Sequence, residues 1–292
     1  MAPLADLILA TVPYRLPLHL YTYVPGTSPL STDTVVGVAL VSYLATIFGI
    51  QALMKNQQPR KLTALFQIHN VILSSGSLLL LALMLEEIVP IMYKQGLHAA
   101  LCDASSWTPR LEFYYMINYY FKYLELIDTV FLALKKKPLQ FLHVFHHSAT
   151  ALLCYTQLNG ETSISWAVIV QNLLVHVIMY YYYYATAGGR RFWWKKYLTT
   201  MQITQFVIDL FLVYFGTYEH FAATRFPNLP YIGNCHGSEN AALFGCALLT
   251  SYLFLFIDFY FRTYQKPVGK RTAVNGHANG HSNGRANGLK AE

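Results

Sequence analysis

The sequence predicts an all-α integral membrane protein in which seven transmembrane helices enclose a tunnel that opens toward the cytosol. Of its 292 residues, 54% are apolar and 12% are charged, and the mean hydropathy is +0.32. The apolar residues cluster into seven stretches of about 20, enough for a helix to cross a hydrocarbon core about 30 Å thick. Because lipid offers the backbone no hydrogen bonds, these stretches must be helical. The composition excludes disordered, collagen-like and secreted disulfide-framework proteins.

The seven predicted helices are separated by short charged connections. They cover residues 33–54, 63–86, 111–134, 139–158, 162–185, 198–218 and 241–262. Sixteen lysines and arginines lie on one side of these segments and four on the other, which predicts a lumenal N-terminus and a cytosolic C-terminus. Most basic residues lie in short blocks between apolar runs, so the net charge of +7 indicates membrane orientation and not nucleic-acid binding.

Two terminal segments flank the predicted transmembrane domain of residues 33–265. Residues 1–32 are expected to form a lumenal arm, because their short apolar patch lacks the basic region and cleavage site of a signal peptide. Residues 266–292 repeat Asn-Gly four times without apolar periodicity, which is typical of a disordered cytosolic tail.

Two of the four cysteines lie in the longest predicted lumenal loops. Cys102 is between the second and third helices, and Cys235 is between the sixth and seventh. The lumenal compartment permits disulfides, so we predict a structural Cys102–Cys235 bridge. The alternative is that each is a free loop thiol.

Ionisable residues lie inside the predicted helices, where they are energetically costly and usually functional. On one face of the third helix are three charged residues spaced i, i+3, i+6, namely Lys122, Glu125 and Asp128. The fourth helix begins with three histidines within about 100° of helical arc, namely His143, His146 and His147. All three imidazoles are therefore expected to point into one bundle interior.

The next two helices contribute polar residues at the same depth. The fifth carries Asn172 and His176 one turn apart, followed by a tyrosine run that includes Tyr180 and Tyr183. The sixth opens with Thr199, Gln202 and Gln205. The predicted orientation places all four polar sets between the middle of the membrane and its cytosolic side. A single enclosed site opening toward the cytosol is the expectation.

For some of these polar residues a purely structural role is an alternative interpretation. The charged residues of the third helix can form an ion-pair network that only fixes helix packing. The polar residues of the sixth helix can hydrogen-bond between helices. Asp209 and Asp258 are lone carboxylates near the ends of their helices, and we expect both to be structural.

Two classes of enzyme place histidines in a membrane. A di-metal oxidase or desaturase needs several histidine boxes, and the five histidines within the predicted helices, including His69, are too few. The other class uses imidazole itself, which has a pKa of about 6.5 and is mostly neutral at cytosolic pH. Such a residue attacks a thioester or moves a proton and requires no metal or redox cofactor.

Four motifs in this order resemble the signature motifs of ELO-type fatty acid elongases, the 3-ketoacyl-CoA synthases of the endoplasmic reticulum. They are Lys122-x-x-Glu125-x-x-Asp128-Thr129, His143-x-x-His146-His147, Asn172-x-x-x-His176-x-x-Met179-Tyr180-x-Tyr182-Tyr183 and Thr199-x-x-Gln202-x-x-Gln205. With the seven helices, the resemblance covers roughly residues 30–265, and residues 149–166 look especially like fungal members.

The resemblance implies the decarboxylative condensation of a long-chain acyl-CoA with malonyl-CoA. The products would be a 3-ketoacyl-CoA, CoA and CO2. We expect His146 to be the nucleophile, with His143, His147 and His176 polarising carbonyls and moving protons. Asn172 or Gln202 would stabilise the enolate oxygen. Direct attack in a ternary complex is the alternative mechanism.

Basic residues at the cytosolic mouth are expected to meet the CoA phosphates, although membrane orientation alone also explains their placement. They are Lys135, Lys136, Lys137, Arg190, Arg191, Lys195, Lys196, Arg262 and Lys266. The acyl tail would lie in an apolar tunnel inside the bundle, lined in part by Tyr180 and Tyr183.

Family likeness also implies the endoplasmic reticulum membrane, a homodimer, and reductase, dehydratase and enoyl reductase partners that complete the elongation cycle. The resemblance to fungal members favours acyl-CoA substrates with saturated or monounsaturated long and very long chains, as used in sphingolipids. Because of Gln140, polyunsaturated acyl-CoAs are an alternative substrate class. A seven-span receptor or transporter is the non-enzymatic rival, but no inverted repeat with broken helices is evident.

Overall fold

A computed structural model describes residues 3–11 and 17–265. Over these residues the chain is helical and contains no strand, which confirms the predicted all-α class. The α-helices are α1 (Pro3–Thr11), α2 (Leu18–Tyr21), α3 (Asp33–Leu53), α4 (Thr63–Gln95), α5 (Leu97–Cys102), α6 (Pro109–Leu134), α7 (Phe141–Asn159), α8 (Ser165–Ala187), α9 (Lys195–Thr224) and α10 (Glu239–Tyr264). Short 3-10 turns follow α3 and α5. The predicted tail of residues 266–292 lies outside the described residues.

Seven long helices coincide with the seven predicted segments. Four of them, α3, α4, α9 and α10, are long and apolar enough to cross a membrane. The other three, α6, α7 and α8, carry the charged residues, histidines and tyrosine run, and this composition does not by itself mark them as membrane spans. The polar motifs are thus concentrated on the three helices with the weakest hydrophobic signal.

The C-terminal end of α4 extends further than the sequence predicts. We expected this helix to end near residue 86, where two glutamates interrupt the apolar run, but it continues to Gln95. The carboxylate of Glu86 accepts hydrogen bonds from the backbone N–H groups of Leu4 and Ala5, at 2.6 and 3.0 Å. The Glu87 carboxylate accepts one from the Thr108 hydroxyl at 3.0 Å. Glu86 thus docks the N-terminal arm onto α4, Glu87 holds the start of α6, and neither ends the helix.

Six of the long helices form a ring. In the order α4, α8, α9, α10, α7 and α6, each contacts the next, and α6 contacts α4. Helix α3 lies outside this ring and packs against α6. The hydroxyl of Tyr43 on α3 donates to Thr129 on α6 at 2.7 Å. The polar faces of α6, α7, α8 and α9 therefore surround one interior.

A tight connection sets the register of α6 against α7. Only six residues, 135–140, join the two helices, and Pro138 prevents α6 from continuing through them. Lys136 adopts a left-handed backbone conformation with φ of 54° and reverses the chain. Its ammonium donates to the carbonyls of Lys55 and Gln57 at 2.9 and 3.1 Å. The end of α6 and the start of α7, which carry Asp128 and His143, are thereby held at the same level.

A disulfide joins Cys102 to Cys235, which are separated by 133 residues. It links the end of α5 to the loop between α9 and α10. The buried carboxylate of Glu219 holds the same loop by accepting from the backbone N–H groups of Ile232 and Gly233, at 2.8 and 3.0 Å. These loops thus form a cross-linked cap at one end of the ring.

Replacing Cys102 with Ser is expected to lower the free energy of unfolding by about 2–5 kcal/mol, because the cross-link closes a long loop in the unfolded chain. Cys235→Ser and the double variant should lose the same amount, since all three remove one bond. Denaturation in detergent measures the loss. A reductant should destabilise the wild type to the level of the variants and leave the variants unchanged; additive losses would contradict a shared bond.

Candidate active site

A cavity lies inside the ring, and its space amounts to about 800 Å³ with the adjoining open solvent included. Helices α6 to α10 all contribute to its wall. Polar residues line one end, namely Lys122, His146, Asn172, Gln205 and Asp209. The rest is mainly apolar, with side chains from α7, the loop after it, α8, α9 and α10, among them Leu158, Ile164, Ile169, Val213 and Leu249, and with the polar residues Asn118, Thr150, Gln157 and Ser165. One elongated space therefore joins a polar, histidine-containing end to an apolar end.

Lys122 is the centre of a buried polar network at this end of the cavity. Its ammonium donates to Glu125 at 2.9 Å and to the side-chain oxygen of Asn172 on α8 at 2.8 Å. His176 Nδ1 lies 3.2 Å from the same Glu125 oxygen, and His176 Nε2 lies 3.2 Å from the Asn172 amide nitrogen. The predicted motifs of the third and fifth helices thus meet in one network.

The local sequence of α6 explains this alignment. Thr108 caps the helix by accepting from the Leu111 N–H, and Pro109 occupies the first turn, where its missing N–H costs nothing. From this start an uninterrupted helix runs to Leu134. The i, i+3, i+6 spacing therefore turns Lys122, Glu125 and Asp128 to the same interior face, and all three are buried.

Asp128 organises a second part of the network. One carboxylate oxygen is 3.0 Å from His69 Nε2 on α4, and the other accepts from the Tyr180 hydroxyl on α8 at 3.0 Å. We expected Tyr180 and Tyr183 to line the acyl tunnel, but neither is in the wall of the cavity. Tyr180 is fully buried behind it and holds Asp128 in place.

The three histidines of α7 lie side by side, as their spacing predicts. The ring centroids of His143 and His147 are 4.2 Å apart, and those of His146 and His147 are 5.8 Å apart. Only His146 lines the cavity. Each of the three has one buried ring nitrogen without a hydrogen-bond partner among the described residues, namely His143 Nε2, His146 Nδ1 and His147 Nδ1. Of these three nitrogens, only that of His146 belongs to a residue in the cavity wall.

Aromatic side chains from two other helices surround His146. The ring centroids of Tyr252 and Phe256 on α10 lie 4.6 and 5.6 Å from its own, and that of Phe206 on α9 lies at 6.3 Å. The Thr150 hydroxyl is 2.9 Å from the Tyr252 hydroxyl and donates to the His146 carbonyl at 2.6 Å. This packing restricts the imidazole to one orientation at the cavity wall.

Asp209 is not the lone carboxylate that the sequence indicated. It accepts from Gln205 Nε2 at 3.0 Å and from Gln171 Nε2 at 2.9 Å, and it lines the cavity beside Gln205. The expectation overlooked that Gln205 is one turn away on the same helix and that α8 faces it. Asp258 is not lone either, because Arg262 donates to it at 2.8 Å.

The remaining residues of the fourth motif point elsewhere. The Gln202 amide donates to the sulfur of Met179 at 3.3 Å, and Gln202 does not line the cavity. The Thr199 hydroxyl is 3.2 Å from that of Tyr264 on α10. Of the two amides expected to stabilise an enolate, Asn172 faces the cavity and Gln202 does not.

Some of the residues expected to bind CoA are already held by other groups, and others are exposed. Lys135 lies 3.6 Å from the Phe66 ring centroid, and partial burial and the neighbouring Lys137 lower the pKa of its ammonium. Lys136 is held by backbone carbonyls, and Arg262 is paired with Asp258. The other predicted residues of the set are exposed, namely Lys137, Arg190, Arg191, Lys195 and Lys196. Lys266 lies outside the described residues.

Sequence reasoning noted His69 only as an isolated histidine and missed its pairing with Asp128. The signal was an ionisable residue inside an apolar helix, which by itself favours a buried partner. Tyr252, an unremarkable aromatic in the sequence, carried no such signal. Within residues 3–11 and 17–265, no group of three or more His, Cys, Asp or Glu side chains is arranged to hold a metal ion.

The fold and cavity define a class of protein: an all-helical membrane protein with a buried histidine site at one end of an apolar cavity. Residues 28–272 match the model of the GNS1/SUR4 (ELO) family. The chain is 51% identical to putative fatty acid elongase 1 of Schizosaccharomyces pombe, over 86% of this chain and 75% of that protein. Putative fatty acid elongase 2 of the same organism is 42% identical over 84% and 67%, and fatty acid elongase A of Dictyostelium discoideum is 35% identical over 78% and 82%.

The chain therefore belongs to the ELO family of fatty acid elongases. The predicted resemblance and its fungal character are confirmed by these matches. Membership makes the protein an enzyme of fatty acid elongation.

Replacing Lys122 with Met is expected to lower the free energy of unfolding by about 3–5 kcal/mol, because Glu125 would keep a buried charge without its partner. The double variant Lys122→Met/Glu125→Gln should lose less free energy of unfolding than the two single variants added together, because it leaves no unpaired charge. Denaturation of each variant in detergent measures the free energies of unfolding that make up this double-mutant cycle.

The matched control is the exposed pair of Arg225 and Glu239, 2.9 Å apart. Arg225→Met should cost about 0–1 kcal/mol. Equal losses at the exposed and buried pairs, or additive losses in the Lys122 cycle, would contradict a coupled buried network.

Proposed function

We propose that this elongase condenses a long-chain acyl-CoA with malonyl-CoA to give a 3-ketoacyl-CoA, CoA and CO2, as a very-long-chain 3-oxoacyl-CoA synthase. The observation that carries the proposal is the single cavity with Lys122, His146 and Asn172 at one end and apolar side chains along the rest. An acyl tail would occupy the apolar part and bring its thioester to His146. Apolar burial of the tail supplies the binding energy.

His146 is the proposed nucleophile because it is the histidine of α7 that lines the cavity. One ring nitrogen of the neutral imidazole attacks the thioester carbonyl, and the carbon–sulfur bond breaks. The proton of the other ring nitrogen goes to the CoA thiolate, leaving an acyl-imidazole and free CoA. The aromatic side chains around His146 exclude water from this intermediate.

Malonyl-CoA then loses CO2 to give the enolate of its thioester, whose carbon attacks the acyl group. The carbon–nitrogen bond to His146 breaks, the imidazole takes up a proton, and the 3-ketoacyl-CoA leaves. The Lys122 ammonium and the Asn172 amide stabilise the negative oxygens, because both lie in the cavity wall, where Lys122 is buried and Asn172 is partly buried. His143, His147 and His176 move protons at this end of the cavity. The alternative is direct attack in a ternary complex, with the histidines as acids and bases only.

The proposed enzyme crosses the endoplasmic reticulum membrane seven times, with its N-terminus in the lumen and its C-terminus in the cytosol. Residues 33–265 are the catalytic domain, between a lumenal arm and a cytosolic tail. Support comes from the sixteen-to-four asymmetry of basic residues and from a disulfide in the loops assigned to the lumen. The product needs a ketoacyl-CoA reductase, a dehydratase and an enoyl reductase to complete one elongation cycle.

The proposed substrates are saturated or monounsaturated long to very long acyl-CoAs, whose products serve sphingolipids. Polyunsaturated acyl-CoAs are the second candidate, because Gln140 comes just before the histidines of α7. A homodimer is also proposed from family likeness.

His146→Ala is expected to reduce condensation by about 100- to 10,000-fold, the range for loss of a positioned acid–base or nucleophilic group. The assay measures label from malonyl-CoA in the ketoacyl product for purified protein across saturated, monounsaturated and polyunsaturated acyl-CoAs. Mass spectrometry of protein mixed with acyl-CoA alone should find one acyl adduct in the wild type and none in the variant.

The matched control is His19→Ala, a histidine on α2 in the lumenal arm, which should leave both readouts unchanged. Wild-type turnover without an adduct would favour the ternary mechanism. Folded wild-type protein that forms no product from any acyl-CoA would overturn the proposed function.

Arg190→Gln/Arg191→Gln is expected to raise the KM for malonyl-CoA without changing kcat. A unit charge pair at 4 Å in water is worth about 1 kcal/mol, so each lost contact should raise KM about five-fold at low salt. The increase should shrink at high ionic strength. The control is Lys94→Gln/Arg225→Gln, which removes two charges from the lumenal side; an equal effect there would refute a CoA site at the cytosolic mouth.

A further inference from the structure

Two oxygen atoms in the cavity wall lack the hydrogen-bond partners that its other polar groups have. The Gln157 amide donates to the Ala241 carbonyl at 2.8 Å, and Asp209 accepts from two glutamines. Among the described residues, three buried side-chain oxygens have no hydrogen-bond partner. Two of them belong to the cavity wall, the hydroxyl of Tyr115 and the amide oxygen of Asn118. A buried polar group without a partner is costly, so these two oxygens indicate a ligand that supplies one.

Tyr115 and Asn118, which we call the oxygen pair, lie on one face of α6. They are three residues apart, so their side chains are neighbours on the helix surface, and they are only 3% and 2% exposed. The Tyr115 ring packs against Trp107, with centroids 4.9 Å apart. The Asn118 amide nitrogen donates to Cys154 Sγ on α7 at 3.6 Å. These contacts hold both side chains in the wall, and neither contact supplies the missing partner.

The oxygen pair lies partway along the cavity. Cys154, which contacts Asn118, lines the cavity eight residues after His146 on α7, about 12 Å along the helix axis. Leu158, one turn further along α7, lines it as well. An acyl chain that extends from His146 into the cavity therefore passes the oxygen pair between its thioester and its methyl end.

The chemistry of the two oxygens favours a hydroxyl group as their ligand. The Tyr115 hydroxyl can donate to the oxygen of such a group, and the Asn118 oxygen can accept its hydrogen. A ketone could accept from Tyr115 but would leave Asn118 unpaired, because it has no hydrogen to donate. A methylene group would leave both oxygens unpaired. Of these three groups, only a hydroxyl satisfies the whole oxygen pair.

We propose that the oxygen pair binds a hydroxyl group carried partway along the acyl chain, so that hydroxyacyl-CoAs are substrates of this enzyme. The inference rests on the proposed condensation and on the acyl tail lying in the cavity. A hydroxyl that meets the apolar part of the wall loses its water and gains no new partner. The enzyme therefore accepts the hydroxyl only at the carbons that reach the oxygen pair.

The experiment measures kcat/KM with labelled malonyl-CoA for saturated acyl-CoAs of one length. One substrate is unsubstituted, and the others carry a single hydroxyl at successive carbons. In the wild type, kcat/KM relative to the unsubstituted chain should peak at one position within the chain and fall on either side. Tyr115→Phe and Asn118→Leu should each lower this peak about five-fold, the effect of one hydrogen bond. Neither variant should slow the unsubstituted chain, since each removes a polar group that this chain leaves unpaired.

The matched controls are Tyr93→Phe and Asn228→Leu, which change the same residue types at exposed positions outside the cavity and should keep the wild-type profile. An active wild type without a peak would mean that water serves the two oxygens, and it would overturn the oxygen pair but not the condensation. A peak that survives in both variants would also overturn it. So would equal losses on hydroxylated and unsubstituted chains, because a hydroxyl site must spare the unsubstituted chain.

A second measurement separates the oxygen pair from the proposed condensation. Thermal unfolding of the purified protein in detergent is compared with the unsubstituted acyl-CoA and with the hydroxylated acyl-CoAs. At least one hydroxylated chain should stabilise the wild type more than the unsubstituted chain does, and Tyr115→Phe should remove this difference. If the wild type forms no product, the proposed function fails, but this difference would still support the oxygen pair. Stabilisation by the hydroxylated chains that never exceeds that of the unsubstituted chain would overturn it.

Discussion

The buried pair of Lys122 and Glu125 is the interaction on which the site depends. Two charges inside an apolar bundle are stable only if each has a close partner, because neither has water to solvate it. Each also has a partner on another helix: on α8, Asn172 contacts Lys122 and His176 contacts Glu125. These contacts fix the rotation of α6 and α8 about their axes relative to each other. The cavity wall thereby contains an ammonium and an amide next to His146.

Around this network the ring of six helices separates two kinds of surface. Large apolar residues such as Leu65, Phe211 and Phe254 face outward and are exposed, as lipid contact requires. The polar motifs face inward and pair across the interior. The six-residue connection between α6 and α7 brings Asp128 and the histidines to one level, and the disulfide-linked loops close the opposite end.

Much of the site was predictable because its signals are local. Charged residues spaced i, i+3, i+6 share a helix face wherever the helix lies, so the inward direction of Lys122, Glu125 and Asp128 needed no tertiary information. The same reasoning grouped the histidines of α7 but could not rank them. That His146 faces the cavity, whereas Tyr180 lies behind it and Gln202 turns to Met179, depends on contacts with α8, α9 and α10.

The sequence by itself determined the helical class, the position of the seven long helices and the residue types at the site, because hydropathy and helical spacing are properties of neighbouring residues. Only the tertiary structure decided which polar groups meet. The pairing of Asp128 with His69, the hydrogen bond of Gln171 to Asp209 and that of Gln157 to the Ala241 carbonyl each join residues on different helices. Such contacts follow from the rotation and packing of whole helices, which local spacing does not encode.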